Sequence, residues 1–125
     1  MNYLIVFAGA GIGGALRHGA NIAAAKLWGI DFPFGTLSIN VVGSLAMGLI
    51  VGYFAYVGAA PQQIRLFLTT GIVGGFTTFS AFSLETVMLY ERGQWAAATA
   101  YVVSSTALSV GALFAGLVLV RSLVS

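Results

Sequence analysis

Four long apolar runs fill almost the whole chain, over roughly 3–25, 34–57, 64–89 and 96–120. Each is about the length an α-helix needs to cross the hydrocarbon core of a bilayer. A backbone in lipid must satisfy its own amides and carbonyls, and the runs are continuous rather than alternating, so helices are expected and a barrel is not. Composition agrees: of 125 residues, 59% are hydrophobic and only 6% charged, too few polar groups to cover a surface facing water. The links are too short for a domain outside the membrane. The expectation is one all-α integral membrane domain over 1–125, with four transmembrane helices and the lipid bilayer as its solvent.

Several function classes fall away at once. There is no cysteine, which removes disulfides, thiolate chemistry and Cys-based metal sites. One histidine and three acids (Asp31, Glu85, Glu91) cannot build a protease-like triad or a conventional zinc site, so no enzyme is expected. Met1-Asn2-Tyr3 lacks a basic start and the first run exceeds signal length, so no cleavable signal peptide is expected. The formal charge of +2 does not point to nucleic acid. The cations stand singly near the run ends, where interfacial anchors usually sit.

The third run contains the least ordinary stretch, GIVGGFTTFSAFS over 71–83. Gly71, Gly74 and Gly75 weaken a helix, and Thr77, Thr78, Ser80 and Ser83 supply hydroxyls that satisfy backbone groups freed by a break. A broken third helix is expected, with backbone unwound over 74–77. Carbonyls exposed there would suit a small cation, as in other broken membrane helices. Phe76, Phe79 and Phe82 recur every three residues through the same stretch. Glu85 follows near the end of the run, as a site candidate or the partner of an arginine such as Arg17.

The other runs add isolated polar groups. GAGIGG over 9–14 formally matches a dinucleotide fingerprint with Asp31 downstream, but a strand-helix-strand unit is missing and Asp31 lies in the turn-like WGIDFPFG. Close helix packing through small residues is the better reading, and the same holds for Gly43, Gly48 and Gly52. Arg17, followed by His18, lies within the first run, where an arginine snorkels, pairs or faces a wet vestibule. Asn40 in the second run must be hydrogen-bonded if buried; helix glue and ligand donor are both open. Tyr101, Ser105 and Ser109 share one face of the fourth run at four-residue spacing. They form either a polar stripe or hydroxyls bonded back to their own helix.

Together Asn40, Thr77, Thr78, Ser80, Ser83, Ser105 and Ser109 are neutral donors, and Phe79 and Phe82 offer rings with a positive edge. A pathway lined by this set favours an anion over a cation. Arg65 and Arg121 fall on one side of the membrane, Lys26 and Arg92 on the other with Arg17 nearby. That balance removes the usual orientation bias and suggests insertion both ways, as an antiparallel dimer.

Three stretches carry a family resemblance: GGALRH over 13–18, GTLSINVVG over 35–43 and GIVGGFTTFSAFSLE over 71–85. With the four-run plan, the sequence resembles the Fluc/CrcB family of fluoride channels along essentially its whole length. The resemblance implies a dual-topology antiparallel homodimer in the cell inner (plasma) membrane, with two pores that let fluoride leave the cell passively. It implies that Phe79 and Phe82 meet fluoride with their ring edges, together with Asn40, Thr78 and Ser80. Tyr101, Ser105 and Ser109 would form a polar track. Backbone carbonyls of Gly74 and Thr77 would hold a structural sodium ion at the dimer axis, and Arg17 would lie near a vestibule. The chain departs from the family pattern at His18, where tyrosine is frequent, and at Ala81, where threonine is frequent. Leu113 ends the polar track of the fourth run early. The alternative is a small four-helix proton-coupled multidrug exporter, which needs a carboxylate deep in a span; Glu85 is the single in-run acid and lies near a run end.

Overall fold

Helices account for nearly all of the backbone in the computed structural model, which describes residues 1–124. The first two are α1 (Asn2–Trp28) and α2 (Phe34–Tyr56). The third apolar run is composite: α3 (Gln62–Leu66), a π-helical segment (Phe67–Val73), α4 (Gly74–Phe76) and, after non-helical residues 77–79, α5 (Ser80–Glu91). The chain ends in α6 (Trp95–Val124). Among the described residues, Phe34–Tyr56, Gln62–Glu91 and Trp95–Val124 are long and apolar enough to cross a membrane. α1 has the length as well, with 27 residues, and carries Arg17 and His18 within it. The all-helical membrane architecture and the interrupted third run therefore stand as expected from the sequence.

Glycine sets how these helices pack, as expected for chains that associate in lipid by close backbone approach. α1 lies against the third run. A Cβ on Gly9 would sit 2.7 Å from the Phe67 carbonyl oxygen, and one on Gly75 2.6 Å from that of Ala10. Gly13, one turn beyond Gly9, faces the Ile72 carbonyl and the Phe76 amide. The G-x-G-x-x-G string is thus a packing seam, and it uses Gly9 and Gly13 while Gly11 and Gly14 face open space. α2 and α6 form the second pair: Gly48 meets the Leu113 backbone, and a Cβ on Gly116 would lie 2.8 Å from the Leu45 carbonyl oxygen.

The short link from α5 to α6 is a Schellman turn. Gly93 adopts φ +77°, its N–H bonds the Tyr90 carbonyl and the Gln94 N–H bonds the Leu89 carbonyl, both at 2.9 Å. That turn lays α6 back along α5 and buries Leu89, Ala98 and Tyr101 as one cluster, with Phe32 and Phe82 packed on it. Phe7, Val103 and Phe114 point outward and are exposed, as residues facing lipid or another membrane protein are.

The break falls three residues later than glycine content suggests. Gly74 is helical, and Thr77 is the residue that turns extended, at φ −80° and ψ 160°. The physical reason is capture by α2. The Thr78 N–H donates to Asn40 Oδ1 at 2.8 Å, and Asn40 Nδ2 donates to the Thr78 carbonyl at 3.0 Å. One amide side chain so replaces both helical partners of a residue. Thr78 Oγ1 accepts the Ala81 N–H at 3.1 Å and caps the start of α5. Thr77 Oγ1 bonds back to the Val73 carbonyl, and Gly43 leaves the room that its methyl occupies. The glycines meanwhile pack: Gly71 is buried against Gly9.

Candidate functional site

The break opens onto a groove of about 350 Å³. α2 contributes Asn40 and Ser44, the broken segment Thr77, Thr78 and Phe79, α5 Phe82, and α6 Ser105, Thr106, Ser109 and Val110. Each side chain reaches it for a local reason. Non-helical backbone at 77–79 swings Phe79 out of the helix line, and its ring is 78% exposed in the groove mouth. Phe82, one turn into α5, lies behind it with ring centroids 5.4 Å apart and planes at 44°. Ser105 and Ser109 face the groove from one side of α6. Unlike Ser104, whose hydroxyl bonds back to the Ala100 carbonyl at 2.6 Å, their buried hydroxyls have no partner among the described residues. A buried polar group without a partner costs free energy, so two of them along one wall mark where a ligand or water supplies the missing bonds.

Tyr101 does not line the groove. It is fully buried beyond it, tilted at 45° against Phe82 with centroids 5.1 Å apart, and its hydroxyl donates to Glu85 Oε1 at 2.9 Å. Glu85 in turn lines a second cleft, of about 190 Å³, with Asn21, Asp31, Thr36 and Arg92. Tyr101 and Phe82 thus stand between the two openings. Glu85 and Arg17 are not ion-paired; Glu85 bonds Tyr101, and Arg17 is half-buried on α1 without a salt bridge among the described residues.

Of the sequence candidates, the structure brings Asn40, Thr77, Thr78, Phe79, Phe82, Ser105 and Ser109 together in one groove. Ser80 is exposed outside it, with Oγ 3.4 Å from Thr78 Oγ1. Arg17 and Gly74 line neither opening. Ser44 and Thr36 escaped the sequence reading although the signal was present. With Asn40 they fall at four-residue spacing on α2, the pattern already visible for Tyr101, Ser105 and Ser109 on α6. Thr106 lies beside Ser105 and had no signal of its own. Asn21 is a further amide near the end of the first run, on the rim of the Glu85 cleft.

The chemistry on offer is selective. The groove walls carry hydroxyl and amide groups and aromatic rings, and no ionised side chain. Asn40 uses one Nδ2 hydrogen on Thr78, which leaves the other to the groove. Such a lining stabilises negative charge through donors and ring edges. It has no carboxylate for cation exchange. At the break itself, the amide that would close on the Gly74 carbonyl, Thr78 N–H, is committed to Asn40. A neutral carbonyl oxygen is left there, a hard ligand of the kind that suits an alkali cation.

A family model for CrcB-like proteins (Camphor Resistance, CrcB) matches residues 4–117. The chain belongs to the CrcB-like family. This CrcB-like chain is 56% identical over 123 residues to the "Fluoride-specific ion channel FluC 2" of Nitrobacter hamburgensis, a match that covers 98% of this chain and 99% of the relative. It is 60% identical over 121 residues to the "Fluoride-specific ion channel FluC" of Methylobacterium nodulans, covering 97% of each. A third CrcB-like relative, the "Fluoride-specific ion channel FluC" of Granulibacter bethesdensis, is 61% identical over 125 residues and matches over 99% of this chain and 98% of its own.

Proposed function

We propose that this chain is a fluoride-specific ion channel, a multi-pass membrane protein that lets fluoride leave the cell down its electrochemical gradient. Near end-to-end identity with relatives of that name supports the reading. The observation that carries it is the groove: partnerless hydroxyls of Ser105 and Ser109 opposite the rings of Phe79 and Phe82. A small, strongly hydrated anion gives up water only for several donors at once, and this wall supplies hydroxyls, the Asn40 amide and aromatic edges. Thr78 holds its place in the groove through both of its bonds to Asn40.

The pathway runs from the Ser109 end, past Phe79 and Phe82, to Tyr101 and Glu85. Tyr101 donates to Glu85, and the groove itself holds no carboxylate of the kind a proton-coupled exporter needs deep in a span.

The working unit is an antiparallel homodimer inserted in both orientations, with two pores. Two features support it: the balanced distribution of Lys26, Arg92, Arg65 and Arg121, and a groove too open on one side to enclose an anion. Phe79 exposed at its mouth is the group a second copy would cover. The central structural sodium belongs at the break of the third run, on backbone carbonyls of Gly74 and Thr77 from both copies. The Gly74 carbonyl, deprived of its helical amide, fits that role. Arg17, half-buried on α1, sits toward an aqueous vestibule, and Ser80 is a flanking hydroxyl of the pore mouth.

Sodium dependence gives the test. Purified protein in liposomes loaded with fluoride is assayed for efflux in sodium, and after exchange into a large organic cation. Sodium-dependent fluoride efflux is expected. Fluoride efflux indifferent to complete sodium removal contradicts the ion at the break, and absence of fluoride efflux under both conditions contradicts the channel.

A further inference from the structure

The link between α1 and α2 carries a small device that no pore residue explains. Pro33 adopts φ −79° and ψ 62°, close to the inverse γ-turn minimum. The turn is closed by the Phe34 N–H on the Phe32 carbonyl at 2.8 Å. Proline holds φ near this value in any state of the chain, so the turn is largely set before packing. It throws the two flanking rings together, with centroids 4.8 Å apart. Phe34 also meets Trp28 at the end of α1, at 6.0 Å. Phe32 then presents itself to Tyr101 edge to face, with centroids 5.5 Å apart and planes at 85°.

That contact matters because Tyr101 has its other sides fixed by the pathway. Its ring packs against Phe82 at a tilt of 45° and its hydroxyl donates to Glu85. Tyr101 is fully buried, with Leu89 and Ala98 in its cluster and Phe82 packed on it, and Phe32 is the aromatic neighbour that the α1–α2 link adds, so its loss loosens the ring on that side. We propose that Phe32, set by the Pro33 γ-turn, is a positioning residue for conduction: it holds the Tyr101 ring so that the hydroxyl stays on Glu85 and the ring stays against Phe82. Phe32 lines the Glu85 cleft but not the Phe79 groove, and acts on the ion through Tyr101. The inference rests on the fluoride-channel reading.

The test is a double-mutant cycle read as fluoride efflux from liposomes, with size-exclusion elution as the check on folding. Phe32→Leu keeps apolar bulk and removes the ring edge. It is expected to slow efflux by up to about tenfold, the size of one edge-to-face contact. Phe32→Tyr keeps the edge and is expected to conduct like the parent. In a Tyr101→Leu background, Phe32→Leu is expected to add no further loss, because the contact is already gone. Pro33→Gly keeps the ring, loosens the turn, and is expected to slow efflux less than Phe32→Leu and only where Tyr101 is present. It serves also if Phe32→Leu does not fold. Parental efflux in Phe32→Leu, equal losses with and without Tyr101, or parental efflux in Pro33→Gly would overturn the positioning role. A parent that passes no fluoride overturns instead the channel reading on which the inference stands.

Discussion

At the scale of single residues, the groove contains groups that hold the fold and groups that the proposed pathway assigns to the ion. Asn40 does the first through both ends of its amide. Asn40→Ala strands the Thr78 N–H and carbonyl in an apolar setting, at a cost of about 1–3 kcal/mol for each group. A marked drop in thermal stability in detergent is expected along with lost efflux; an unchanged melting temperature would show that other groups hold the break. Ser109 is the opposite case. Its buried hydroxyl has no protein partner, so Ser109→Ala is expected to leave stability unchanged or slightly raised. Fluoride efflux should fall all the same, and efflux at the parental rate would remove Ser109 from the pathway. Phe79→Ile and Phe82→Ile should each cut efflux while elution of the assembly is unchanged. Both variants conducting normally would take the rings out of the pore. The identity of these residues was legible in the sequence because polar side chains are rare in apolar runs and each one demands a reason. What each one does was not. Asn40 read equally well as glue or donor, and only its two bonds to Thr78 decide that it holds the backbone.

At the scale of elements, the third helix shows how far composition carries. That it breaks was legible from glycines and hydroxyls crowded into 71–83. Where it breaks was not, because glycine has two uses in a membrane helix. Gly71 and Gly75 lie against α1 and remain helical, so they serve approach rather than flexibility. The break belongs to Thr77 and Thr78, and its cause is Asn40, which lies 38 residues away in sequence. Local propensity contains no trace of such a partner. The seam between α1 and the third run was legible as small residues in 9–14, but not which of them face inward. Gly13→Leu would drive a side chain into the Ile72 carbonyl. Overpacking of a tight seam typically costs about 1–3 kcal/mol, and more where the backbone is met directly. Loss of monodisperse protein is expected for Gly13→Leu, and near-parental behaviour for Gly11→Leu, which faces open space. Equal behaviour of the two would contradict the seam.

For the whole molecule, one chain has the walls of a pathway but not an enclosure. The groove is open where Phe79 is exposed, and the outer faces of α5 and α6 are apolar. In the proposed antiparallel dimer, a second copy closes the groove and brings the two helix breaks together. The sequence suggested this from its charges alone: two cations at each end leave the inserted orientation undecided. A tag after the last residue should be found on both faces of the membrane, and its confinement to one face would contradict dual insertion. A fluoride-specific channel, as proposed, passes fluoride through the groove and holds back chloride. The direct measurement is anion efflux from liposomes containing the purified protein, fluoride against chloride under the same gradient and in sodium. The fluoride-channel reading predicts fluoride efflux with chloride retained; efflux of both anions alike, or of neither, would contradict it.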